Sequence, residues 1–262
     1  MHMSSQHREA GRIISFVVVV LTVLILVATV TWVSIRQSRV DDKKLAQNAV
    51  RDVRSQAEQC STSPKLSLPV ESSSISTLTY PGLERDGAYV TTSRLKLKSS
   101  TNEVRILLPL KARLVGASRY LEQGETQYML SFETSCKYKI SYDHLSVVAL
   151  EFLDDISKLP DQSANTKSLV KIAGKEYDPG AVVATRAGYV ITNNTFFDFG
   201  LYNSNSVNSI SKDSVWAKNA LHQSEDATHG VCWLDYLSTP DKANIEPTLQ
   251  ADPLSKTGDY CK

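Results

Sequence analysis

The sequence predicts a mainly β protein: an antiparallel sheet or sandwich with a few short helices, preceded by one transmembrane helix. Three observations carry this. The run 13–35, IISFVVVVLTVLILVATVTWVSI, is apolar and holds no charge. From about Leu78 onward, short alternating stretches follow one another between Gly, Pro and Asn turn signals. All four cysteines, Cys60, Cys136, Cys232 and Cys261, lie after the apolar run, and none has a CxxC or Cys/His metal spacing.

The apolar run comes first. As a helix it spans about 34 Å, enough for a hydrocarbon core of roughly 30 Å. Trp32 sits near its far end, where an indole favours the interface. A cleaved signal peptide has a shorter apolar region and a small-residue cleavage site. Here the run ends in Ile35-Arg36, so it reads as an uncleaved anchor. Arg8 and Arg12 precede it, while Arg36, Arg39, Lys43 and Lys44 follow it. Flanking charge therefore does not set the orientation. The four cysteines and the length of the following domain do, since long domains translocate largely regardless of charge. The expected protein is a single-pass membrane protein, N-terminus inside and C-terminal domain outside, with two disulfides. Three pairings are open; Cys60–Cys136 with Cys232–Cys261 is the first choice.

The domains read as follows: 1–12 cytoplasmic, 13–35 the span, 36–77 a stalk and linker, 78–210 a β domain, and 211–262 a C-terminal extension packed on it. Residues 36–59 are polar, lack Gly and Pro, and suit a helical stalk. Residues 61–76 are rich in Ser and Pro. Strands are expected at 94–98, 103–108, 112–116, 127–132, 138–142, 169–172, 181–184, 188–191 and 196–202. One helix is expected at 147–159, where Val147, Leu150, Leu153, Ile156 and Leu159 lie near helical spacing. The end of the chain looks helical and then irregular, pinned by Trp216, Trp233, Tyr236 and Cys232–Cys261. A formal net charge of +1 over 262 residues offers no electrostatic footprint for nucleic acid. The membrane is the one partner read from the residues alone.

The order of pieces between about Arg105 and Tyr202 resembles the lysostaphin-type (LytM-like) zinc endopeptidases of bacterial cell walls. That family runs from a strand with a Pro-containing step, through a Tyr-x-His-Leu-Ser strand and a Gly-rich hairpin, to a strand with two histidines. Here Ile106-Leu-Leu-Pro-Leu-Lys-Ala-Arg-Leu-Val115 looks like the first, and Tyr142-Asp-His-Leu-Ser146 is the best match, to the second. Val170 through Gly188 is similar to the third, and Phe196-Phe-Asp-Phe-Gly200 to the fourth. The resemblance covers about 100 residues. It implies a lysostaphin-like fold of the duplicated-hybrid-motif type, and a groove facing wall peptide.

The chemistry of that family needs Zn²⁺ held by His, Asp and His with a position left for water. The chain departs from this pattern. Residues 89–98 hold neither His nor Asp where the first two ligands are expected. Phe196 and Asp198 stand at the two histidine positions of the last strand. Only His144 matches a family active-site residue, one that assists catalysis rather than binding metal. The expectation is a degenerate member without metal, cofactor or catalytic residues. Its groove residues would be Tyr142, His144, Asp198 and Arg94, and its partners peptidoglycan or other envelope proteins. Two alternatives stand beside it: an active wall endopeptidase with unorthodox ligands, and a structural or adhesive envelope module with the groove filled by side chains. The simplest reading of His144 is a structural histidine bonded to a neighbouring carboxylate or carbonyl. Asn193-Asn-Thr195 is a glycosylation sequon, relevant only in a eukaryotic secretory pathway.

Overall fold

A computed structural model of the chain describes residues 60, 63–85, 87–157, 159, 168–250 and 258–261. The expected span and helical stalk lie outside these residues. Among the described residues no helix is long and apolar enough to cross a membrane. Residues 60–262 form one compact unit.

The fold is mainly antiparallel β. Its strands are β1 (Ile75–Thr79), β2 (Leu83–Arg85), β3 (Ala88–Val90), β4 (Ser93–Leu97), β5 (Glu103–Leu107), β6 (Ala112–Glu122), β7 (Glu125–Glu133), β8 (Tyr138–Val148), β9 (Val170–Lys171), β10 (Glu176–Tyr177), β11 (Val182–Ala187), β12 (Phe196–Asn203) and β13 (Leu249–Gln250). The main path of the sheet runs β10-β6-β7-β8-β12-β4-β1-β13, while β2 and β3 form a separate hairpin. The β1–β13 pair is parallel.

Strand β8 is the branch point. Its first part pairs with β12, as far as Asp143 opposite Asp198. Its last part pairs with β11, from Leu145 opposite Ala187 onward, and β11 goes on to pair with β5. Both branches close over one core. Leu95, Ile106, Leu130, Phe132, Ile140, Tyr142, Val183, Phe197 and Phe199 all belong to it. The alternation of β12 explains why: Phe197, Phe199 and Leu201 face that core, whereas Phe196, Asp198, Gly200 and Tyr202 face the other way and are buried as well.

Three sequence expectations meet a different local outcome. The Ser/Pro-rich stretch before Leu78 contributes to the core through Leu66, Val70 and Ile75, and it forms β1. Serines on the outward side of this segment mask an apolar inward side. The helix expected at 147–159 shrinks to a short 3₁₀ turn, Leu150–Phe152, and one helical turn, Leu153–Ile156. Only one side of it finds a partner: Phe152 and Ile156 are buried, while Leu150 is 83% exposed. The strand expected at 188–191 is a turn, because Gly188 has φ 78° and leads the chain away from β11. The C-terminal segment is part of the fold. Trp233 is buried against Phe199, with ring centroids 5.1 Å apart, and its indole N–H donates to Ser93 Oγ at 2.8 Å. The disulfides are Cys60–Cys136 and Cys232–Cys261, and no cysteine is free.

Candidate functional site

The site forms where β8 forks. Between β7 and β8 the register slips from Leu130–Tyr142 to Tyr128–Leu145, so β8 carries one extra residue, a β-bulge at Asp143-His144. His144 adopts φ 60° within it, a left-handed conformation that costs a non-glycine residue about 1–2 kcal/mol. The bulge places both Asp143 and His144 on the side of the sheet away from the core. Regular alternation would have sent one of them inward. Gly188 N–H donates to His144 C=O at 2.8 Å, which ties the bulge to the turn after β11.

Arg94 comes from β4 and Asp198 from β12, directly opposite each other in register. The pair is two-pointed: Arg94 Nε donates to Asp198 Oδ1 at 2.8 Å, and Nη2 to Oδ2 at 2.9 Å. The guanidinium also lies over the Phe196 ring, 4.3 Å from its centroid. Asp198 Oδ2 is 3.2 Å from His144 Nδ1, and Glu122 Oε2 is 3.3 Å from His144 Nε2. The imidazole is thus clamped between two carboxylates, with Phe196 at 4.8 Å and Tyr189 edge-on at 5.9 Å. Asp143 Oδ1 accepts from the Tyr120 hydroxyl and from the His144 backbone N–H.

Electrostatics follow from this arrangement. Burial pushes the Asp198 carboxyl up, but hydrogen bonding and charge from His144 and Arg94 outweigh it and hold Asp198 well below the usual carboxylate range. Burial and the Asp143 charge push the Tyr120 hydroxyl far up. It stays a neutral donor to Asp143.

Three of the four residues singled out from the sequence meet here: Arg94, His144 and Asp198. Tyr142 does not join them. It points into the core, fully buried, and its hydroxyl donates to Leu107 C=O at 2.8 Å. Sequence reasoning missed Tyr120, Glu122, Asp143 and Tyr189. It also missed Asn102, whose side-chain amide donates to the carbonyls of Ala187, Tyr189 and Asn194 and so staples the turn over the site. Glu125 holds the same turn by accepting from the Val190 and Ile191 backbone N–H groups, each at 2.8 Å. Asp143 had a signal, its place beside His144, but only the bulge turns it to the same face.

The metal centre that the resemblance implies does not fit these residues. Both oxygens of Asp198 already receive hydrogen bonds from Arg94, and Phe196 packs its ring against Arg94 and His144. Asp143, His144 and Asp198 do offer three ligand atoms within 4.8 Å of one another. That trio is not the family's set, and it has a guanidinium beside it. No family model, curated protein or solved structure matches the chain.

Proposed function

We propose that this is a membrane-anchored, extracytoplasmic domain of a bacterial envelope, lysostaphin-like in fold, that contacts peptidoglycan or wall hydrolases instead of cutting peptide. The observation that carries the reading is the Arg94–Asp198 pair. In the last strand, where the motif order would put a metal ligand, the Asp198 carboxylate is held on two points by a guanidinium. A site so arranged lacks an open position at which to activate water. The side chains of Arg94 and Glu122 remain 33% and 29% exposed at its rim, and they supply charges of both signs to a peptide lying across it. Two disulfides suit an oxidising compartment outside the membrane.

The test pairs two assays on the full chain in detergent. Co-sedimentation with purified sacculi should show saturable binding that weakens at least fivefold in Glu122→Gln or Arg94→Gln. Incubation with crosslinked wall peptides and added Zn²⁺ should release no new amino groups. Hydrolysis abolished by His144→Ala would overturn the reading in favour of the endopeptidase with unorthodox ligands. A second reading, a structural or adhesive module, is favoured by the filling of the groove: Phe196 is 2%, His144 4% and Tyr189 6% exposed. Absence of sacculus binding by a folded chain selects it.

A further inference from the structure

The groove around His144 is filled by its own side chains, so a ligand needs room elsewhere. Room exists along β5. This strand ends its branch of the sheet and pairs with β11 alone. Asn102 C=O accepts from Ala187 N–H, and Leu108 N–H donates to Ala181 C=O, so both turn their main chain toward β11. Strand alternation turns that of Glu103, Arg105 and Leu107 to the opposite edge. Leu107 N–H is taken up there by Pro69 C=O at 2.8 Å. Glu103 and Arg105 meet no strand on that edge among the described residues. Beside them lies a cleft of about 470 Å³, within the size range of ligand sites. Val70 and Leu97 give it a buried apolar lining, and Ser73, Ser74 and Lys98 stand on its other bank. Glu103 is neutralised by Arg186 at 3.0 Å. Lys98 donates to Ser73 C=O at 2.9 Å. Among the described residues neither Lys98 nor Arg105 has a carboxylate partner, and Glu71 is the remaining carboxylate of the lining.

We propose that this cleft takes an extended peptide segment bearing one carboxylate, added as a strand to the free edge of β5. Strand addition draws its affinity from main-chain hydrogen bonds and its selectivity from pockets for alternate side chains. Glu103 and Arg105 supply the main-chain groups, and the apolar lining at Val70 and Leu97 supplies the pocket. Lys98 and Arg105 receive the carboxylate, each as a charge-assisted donor. Charged side chains on an edge strand discourage indiscriminate pairing; here they restrict it to an acidic partner. The inference goes beyond wall contact and does not depend on it. A chain that ignores sacculi can still take such a peptide.

The experiment uses the full chain in detergent and the C-terminally amidated peptide Thr-Val-Thr-Glu-Val-Thr, labelled at its N-terminus with an uncharged dye and followed by anisotropy. Saturable binding with Kd below about 1 mM is expected, with slower hydrogen exchange at the Glu103 and Arg105 amides. Replacing the peptide's Glu by Gln, or Arg105→Gln in the chain, should weaken binding at least fivefold. A peptide with Pro in place of both Val loses main-chain donors and should not bind. Ser73→Trp fills the cleft from an exposed position and should also abolish binding. No binding by folded wild type overturns the inference. So does binding unchanged by both Arg105→Gln and Ser73→Trp, which places the peptide elsewhere. Displacement by acetate as effective, mole for mole, as by unlabelled peptide reduces the cleft to an anion contact and overturns strand addition. Should either variant fail to fold, exchange in wild type decides. Protection of the Glu103 and Arg105 amides by saturating peptide upholds the inference, and unchanged exchange overturns it.

Discussion

At the scale of single residues, the Arg94–Asp198 pair and the backbone of His144 bear the most weight. Asp198 is buried, and Arg94 with His144 depresses its ionisation. A carboxyl whose folded-state pKa lies below its unfolded value of about 3.9 contributes stability above that value, and the contribution is lost as pH falls through the folded pKa. The pair should therefore hold through pH 4 and fail only in strong acid. Asp198→Asn removes the charge and leaves Arg94 facing a neutral amide. We expect a loss of about 3 kcal/mol at pH 7, the low end for breaking a buried pair because Arg94 is a third exposed. The loss should shrink toward pH 2, and chemical denaturation at a series of pH values measures both. His144 supplies a different test. Its φ of 60° is strained for any residue with a Cβ, so His144→Gly should be more stable than His144→Ala by about 1 kcal/mol. Equal stability of the two variants would mean that the bulge relaxes without the imidazole.

Among the elements, the turn between β11 and β12 decides where the site's lid of aromatic groups lies. Gly188 begins it with φ 78°, and a Cβ there would run into the backbone of Asn194 and Phe196. Gly188→Ala is strained twice, in dihedral and in space, and should cost about 3 kcal/mol or more. It should also release the Tyr189 ring from His144, visible as faster hydrogen exchange at Tyr189 and Asn194, whose backbones pair with each other. This turn also marks where sequence reading stopped. The core strands were legible because Arg94-Leu-Lys-Leu-Lys98 and Gln127-Tyr-Met-Leu-Ser-Phe132 alternate, and period two is a local property. The strand expected at 188–191 was not found, because Gly188-Tyr-Val-Ile191 has strand composition and only the conformation of Gly188 turns it. The helix expected at 147–159 largely failed because helical spacing says nothing about whether a partner exists for both sides. Arg94, His144 and Asp198 were recoverable as chemistry. Glu122 and Tyr120 were not, since they reach the site through the pairing of β6 with β7 and of β7 with β8, and pairing partners are not written in either strand alone.

For the whole molecule, the first question is where the disulfide-bonded β unit begins. Residues 60–262 form the compact unit, and its first described residue, Cys60, is bonded to Cys136 in the turn between β7 and β8. Leu66 and Val70 then enter the core. A fragment cut at 60 should accordingly retain everything the fold needs, and one cut at 78 should not. We expect fragment 60–262 to unfold in one cooperative transition with both disulfides present by mass. Fragment 78–262 should lose β1, the Cys60–Cys136 bridge and three buried aliphatic side chains, and should aggregate or unfold at least 10 °C lower. On the proposed reading, the uncharged run 13–35 attaches the chain to the membrane. The full chain should stay with membranes through alkaline carbonate extraction, and a C-terminal reporter active only after export should be on. A full chain extracted by carbonate would show that the run does not anchor it. A reporter silent in membrane-bound chain would place the domain inside, in a reducing compartment where two disulfides have no reason to persist.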